Sequence, residues 1–285
     1  MTGLVVLLAI LAMPWAFAAL MLARVCSLPG TDGPTRLLAL ATAALPGERR
    51  EWGRAMSAEL AHVEDVGARW RFAAGCAAVA VTPTRGGRVN AATIVAVAGS
   101  AAAASYFVGQ VPGIAPATLA VLIGLLGGYL GLALLTPPAL NAERDARGIA
   151  VGAAAVLALG LLGASRVALD GVGVAPYLLL APPVILVGAA ALGARRSLRG
   201  GIQTAAWATL LGTLTTFAVG LFEALHWHQT GAGLLLDAEA PYRAATNFGD
   251  LVLCLVVLPL WWAPFALIGA LAWARRFPTW VHHPS

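Results

Sequence analysis

The chain contains no lysine; all eighteen of its basic residues are arginine. That absence excludes a retinal pigment, which seven apolar segments could otherwise suggest, because retinal needs a lysine amine for its Schiff base. Charge of either sign is scarce: 11% of residues are charged, against roughly 25% in soluble globular proteins. A water-soluble fold is therefore not expected. Cysteine is nearly missing, and Cys26, Cys76 and Cys254 make no CxxC or CxH spacing, so no disulfide framework or thiolate metal site is implied. No stretch of about ten residues alternates apolar with polar, as a membrane β-barrel strand would. There is no HExxH, no GxSxG and no glycine-rich phosphate loop after a strand, so no soluble-type enzyme site is visible.

What the chain has is apolar length. Hydrophobic residues make up 60% of the 285, and they fall in blocks of about 20, enough to cross a bilayer core of ~30 Å as a helix. The expected fold class is an all-α membrane protein with seven transmembrane helices, at 3–23, 91–110, 117–136, 148–166, 175–194, 202–224 and 250–273. The first carries an Ala16-Phe17-Ala18 triplet of signal-peptidase type. It lacks a basic stretch ahead of it and has arginines behind it, so an uncleaved anchor is expected. Residues 72–82 are apolar but too few to span, and an interfacial or re-entrant helix is expected there.

Arginine positions then orient the bundle. Nine of them lie between Arg24 and Arg88 in the first connecting segment; Arg144 and Arg147 follow in the third, Arg195, Arg196 and Arg199 in the fifth, and Arg275 and Arg276 at the end. The intervening connections hold almost none, so alternate loops are basic. Basic loops are retained in the cytoplasm, which predicts the N-terminus outside and the C-terminus inside. The formal charge of +5 is read as this bias, with no nucleic-acid partner. Four parts follow: an anchor helix over 1–23, an inward helical module over 24–90, a six-helix bundle of three hairpins over 91–276, and a tail over 277–285. Gly113-Ile114-Ala115-Pro116 recurs as Gly173-Val174-Ala175-Pro176, a hint of duplicated hairpins set against chance in an Ala/Gly/Pro-rich chain.

Within the module, Trp52, Met56, Leu60 and Val63 fall on one stripe of a helix, with Arg50, Arg54, Ser57 and Ala61 facing away. A second helix is expected after Asp65. The stripe is read as a surface for lipid or for a partner protein, with Trp52, Met56 and Leu60 as apolar anchors and Arg50 and Arg54 as their basic flank. The run Glu48-Arg49-Arg50-Glu51-Trp52-Gly53-Arg54-Ala55-Met56-Ser57-Ala58-Glu59-Leu60, with Ala68-Arg69-Trp70-Arg71-Phe72 after it, resembles a juxtamembrane segment of uncharacterised multi-pass membrane proteins of GC-rich bacteria. It is also similar in style to helical prefix segments of bacterial permeases. The resemblance spans residues 46–76 and implies a bacterial plasma-membrane location; it brings no activity with it.

Two further groups could carry chemistry. On the outer side, Glu223, His226 and His228 combine carboxylate and imidazole, donors that suit zinc, with a solvated helix end as the plain alternative. Inside the bundle, Trp261 and Trp262 lie between Pro259 and Pro264, at the depth of Thr213 and Thr216 on the preceding span. Indole N–H groups there need acceptors, and a ligand pocket between kinked helices is one outcome, packing the other. No ionisable residue falls near the middle of a span. The expected function is a non-enzymatic sensor or accessory protein whose inward module meets the bilayer, a cytoplasmic regulatory protein or a transporter subunit. The alternatives are a transporter or permease subunit, and a membrane enzyme with an outer metal site.

Overall fold

In the computed structural model the described residues are 12–20, 22–23, 32–43, 50–81, 91–136, 144–166, 175–195, 197–230 and 243–276. Among them every regular element is a helix and no strand occurs. After α1 (12–20 and 22–23) come α2 (Gly33–Ala43), α3 (Arg50–Ala61), α4 (Val66–Val81), α5 (Ala91–Gln110), α6 (Pro116–Leu134), α7 (Arg144–Arg166), α8 (Ala175–Ala194), α9 (Leu198–Thr230) and α10 (Arg243–Arg276). Among the described residues five helices are long and apolar enough to cross a membrane: those over Ala91–Gln110, Pro116–Leu134, Arg144–Ala164, Leu198–His226 and Asn247–Trp273. Helix α8 occupies the expected position of a further span, with Pro182 and Pro183 inside it. The first expected span is described only from residue 12, and the tail lies outside the described residues.

The outward surface is what lipid requires. Val95, Ile123, Leu159, Leu180, Val184 and Leu253 are all more than half exposed. Exposed aliphatic side chains in such number would be costly in water and are ordinary against acyl chains. Burial is concentrated on α9, which packs against α5, α7, α8 and α10. Trp207, Leu214, Phe217 and Leu221 of α9 are fully covered.

Small residues set the helix spacing. A Cβ on Gly269 of α10 would lie 2.5 Å from the Val187 carbonyl oxygen of α8. One on Gly212 of α9 would lie 2.6 Å from Leu157 Cδ1 of α7. Bundles in lipid associate through such close backbone approach, since burial of apolar area supplies little there.

Helices α9 and α10 have 33 and 34 residues, roughly 50 Å each at 1.5 Å per residue. A bilayer core takes about 30 Å, so both run well past the segments at 202–224 and 250–273 expected from hydropathy. Hydropathy sees only the apolar middle of a helix. Its polar ends continue because their backbone hydrogen bonds do.

Candidate functional site

The α2–α4 module folds on its own small core. Leu38 of α2, Leu60 of α3 and Ala73 and Cys76 of α4 form its centre, with Leu37, Trp52, Met56 and Phe72 packed around them. The stripe expected to meet lipid or a partner is therefore taken up internally: Leu60 is 1% exposed, and Trp52 and Met56 are half-buried. Its counterpart is α2, a helix that sequence analysis does not assign. The signal for α2 is Asp32-Gly33-Pro34 ahead of an apolar run, an acceptor residue followed by a proline in the first turn. Helices α2 and α3 meet closely at Gly53, where a Cβ would lie 2.9 Å from Thr42 Cβ.

Arg69 ties the three helices together. Its Nη1 donates to the Leu60 and Val63 carbonyls at 2.8 and 2.9 Å, closing the end of α3. Its Nε and Nη2 donate to Asp32 Oδ2 at 2.9 and 2.7 Å, at the start of α2. Nη2 also reaches Thr35 Oγ1 at 3.3 Å. A planar guanidinium with five donors is suited to such a junction. Burial pushes the Asp32 carboxyl up, but hydrogen bonds from Thr35 and Arg69 and the Arg69 charge outweigh it and hold the group below the ordinary aspartate value. Asp65 caps α4, its Oδ2 accepting from the Ala68 amide. Burial, then the Glu59 charge, pushes the Cys76 thiol up, so it is a core residue with little thiolate to react.

Polar side chains of α3 point outward. Glu51, Arg54, Ser57, Glu59 and His62 are exposed, while Arg50 opens the helix. On α4 the outward side is different: Val66 is 67% and Trp70 42% exposed. Helix α2 also touches α9, which joins the module to the bundle.

In the bundle, three aromatic donors share a pattern, while a fourth, Tyr177 Oη, donates at 2.9 Å to the Leu157 carbonyl, which no proline frees. A proline inside a helix leaves the carbonyl four residues earlier without its N–H partner. Pro183 frees Leu179, and Trp261 Nε1 of α10 donates to the Leu179 carbonyl at 3.2 Å. Pro259 frees Leu255, and Tyr129 Oη of α6 donates to the Leu255 carbonyl at 2.7 Å. Pro264 frees Leu260, and Trp15 Nε1 of α1 donates to the Leu260 carbonyl at 2.8 Å. The carbonyls that Pro183, Pro259 and Pro264 free are thus each bonded by an aromatic side chain from another helix.

These bonds answer the question raised by Trp261 and Trp262. The acceptor for Trp261 is a proline-freed carbonyl and not a threonine. Thr213 Oγ1 donates to the Thr209 carbonyl of its own helix at 2.9 Å. Trp262 is fully buried, as is Thr213, and Thr216 is 4% exposed. Trp261, by contrast, is only partly buried and reaches α8.

At the far end of α9, Glu223 is 4% exposed, His226 is half-buried and His228 is exposed. They lie on the helix and not in a loop. Among the described residues no three of His, Cys, Asp and Glu come together as metal ligands, so the expected zinc set is not gathered. Instead Glu223 continues a buried row on α9 that includes Thr209, Thr213, Thr216 and Gly220, residues that recur along one side of a helix. Gly220 abuts Leu251 of α10, and Asn247, one turn away on α10, is also buried, with no hydrogen-bond partner for its Nδ2. No family model, no curated protein and no solved structure matches the chain.

Proposed function

We propose that this is a bacterial plasma-membrane protein of the sensor or accessory kind, working without catalysis, whose α2–α4 module lies on the inner side and offers the outer face of α3 to a cytoplasmic regulatory partner. One observation carries this reading. The module has its own core and its own charged junction at Arg69, while Glu51, Arg54, Glu59 and His62 stay exposed. Exposed charges of both signs on a firm helix suit a recognition surface, where complementary charge selects the partner and speeds its approach. The basic first connection supports the inward placement. The likeness of residues 46–76 to juxtamembrane segments of bacterial membrane proteins agrees with it.

The test is photo-crosslinking in cells from a benzoyl-phenylalanine placed at Arg54 or Ala58. A discrete adduct from both positions, lost when Glu51 and Glu59 are changed to Arg, is the expected result. Adducts no different from those formed at lipid-facing Ile123 would overturn the proposal.

The buried row on α9 favours a second reading, a transporter or permease subunit. A buried carboxylate at Glu223 and a buried amide at Asn247 on the neighbouring helix, with threonines continuing the row, make the kind of polar seam that ion pathways use. Cation- or proton-linked uptake by reconstituted protein, abolished in Glu223→Gln, would replace the first reading with this one.

A further inference from the structure

We infer that the outward face of α4 is the surface by which the module rests on the lipid bilayer. The inference rests on the proposed placement of the module at the membrane but not on the partner proposed for α3.

Two adjacent rows make this face. Val66, Trp70, Ala74 and Ala78 recur every fourth residue, and so do Gly67, Arg71, Gly75 and Val79; all eight are exposed. Residues four apart lie nearly above one another on a helix, so the rows form a continuous strip. Only Arg71 in it is ionisable. A Cβ on Gly75 would meet nothing within 4 Å, which leaves the middle of the strip open. The opposite side of α4, with Ala73 and Cys76, is already used in the module's core.

Three observations select lipid as the occupant. The first is chain continuity. Helix α4 ends at Val81 and the membrane-length helix α5 begins at Ala91. Nine residues span at most about 33 Å, so the strip is tethered within roughly one bilayer thickness of a membrane entry point. The second is length. Helix α4 has 16 residues, roughly 24 Å at 1.5 Å per residue; that is short of a crossing and suited to lying along the surface. The third is charge. Helix α4 has no carboxylate, and with Arg69 paired to Asp32 the one charge on the strip is Arg71; α3 and the turn after it carry Glu51, Glu59, Glu64 and Asp65 beside Arg50 and Arg54. The strip therefore presents a cation and no anion, which suits an anionic headgroup layer. Trp70 lies on the strip, and an amphipathic indole there suits the headgroup level, while the Arg71 stem can cover apolar surface with its guanidinium at phosphate.

The test uses full-length protein with Cys26, Cys76 and Cys254 replaced by alanine, reconstituted into vesicles of phosphatidylethanolamine and phosphatidylglycerol. Nitroxide labels go on Trp70→Cys and Ala74→Cys, and on Ala55→Cys and Ala58→Cys of α3. Collisions with oxygen should exceed those with a water-soluble nickel chelate at least several-fold at 70 and 74, with the order reversed at 55 and 58. Ala74→Cys removes no large side chain, so it reports even if Trp70→Cys misfolds. Nickel access at 74 equal to that at 55 overturns the inference, because the strip then faces water. Shielding from both reagents overturns it too, because protein then covers the strip. Neither outcome bears on crosslinking from α3, which concerns a different surface.

Discussion

The bundle and the module solve opposite problems with the same few residue types. In the bundle the outside is apolar, so the inside is distinguished by close approach and by hydrogen bonds to backbone carbonyls: Gly269 against Val187, and Trp15, Tyr129 and Trp261 on the carbonyls that prolines set free. In the module most of the outside is polar, so an apolar core forms, small enough that one arginine is needed to fasten its three helices. Arginine and tryptophan change roles accordingly. Arg69 is a structural tie, and Arg54 stays exposed on α3. Trp261 is a donor inside lipid, and Trp52 is a piece of core.

The largest effect should come from the closest approach of a glycine to a neighbouring helix's backbone. Gly269→Val would drive side-chain atoms into the backbone of α8, which cannot rotate away, and should cost about 3 kcal/mol. The same change at Gly127 of α6, where a Cβ meets nothing within 4 Å, should be nearly neutral. Unfolding titrations in mixed micelles would compare the two; equal losses would mean that close approach does not set the packing.

Next comes the fastening of the module. Arg69→Met removes charge-assisted bonds to two helices and should cost about 2 kcal/mol locally. Hydrogen exchange should quicken in α2, α3 and α4 and stay unchanged in α9 and α10. Acceleration spread evenly over the chain would show that the two regions are not separate units.

Smaller effects test the proline rule. Tyr129→Phe orphans the Leu255 carbonyl and should cost about 0.6 kcal/mol, the average for such bonds in membranes. In a Pro259→Ala background the restored backbone N–H takes that carbonyl, so the cost of Tyr129→Phe should vanish. An unchanged cost would mean that Tyr129 acts through packing alone.

The smallest is a pH effect. Asp32 is held below its ordinary value of 3.8 when folded. Its contribution is therefore complete above that pH and is lost as pH falls through the lower, folded value. Exchange at the α2 start should accelerate in that acid window, and Asp32→Asn should abolish the dependence. An unaltered profile in Asp32→Asn would assign the acid response to another group.

Much of the bundle was legible because its determinants are local. The expected span at 91–110 matches α5, a helix of membrane length, and the segment at 175–194 is helical as α8 without being among the five such helices, since apolar length bounded by glycine, proline or arginine is written residue by residue. The α3 stripe was legible for the same reason. Its destination was not, because periodicity shows that a face must be covered and not what covers it; here α2 does. Arg69 and the three aromatic donors were hidden because their partners lie from six to 245 residues away. Yet prolines mark which carbonyls will be orphaned. A scan for helix-interior Pro at i points to Leu178, Leu179, Leu255 and Leu260, and the last three are the acceptors.

The measurement closest to the centre of the account is labelling of Arg54→Cys by a membrane-impermeant maleimide, with Cys26, Cys76 and Cys254 replaced by alanine. The exposed position on α3 should stay unlabelled in intact cells and react once the membrane is permeabilised. Labelling in intact cells would place the module outside, and a cytoplasmic partner for α3 would then be impossible.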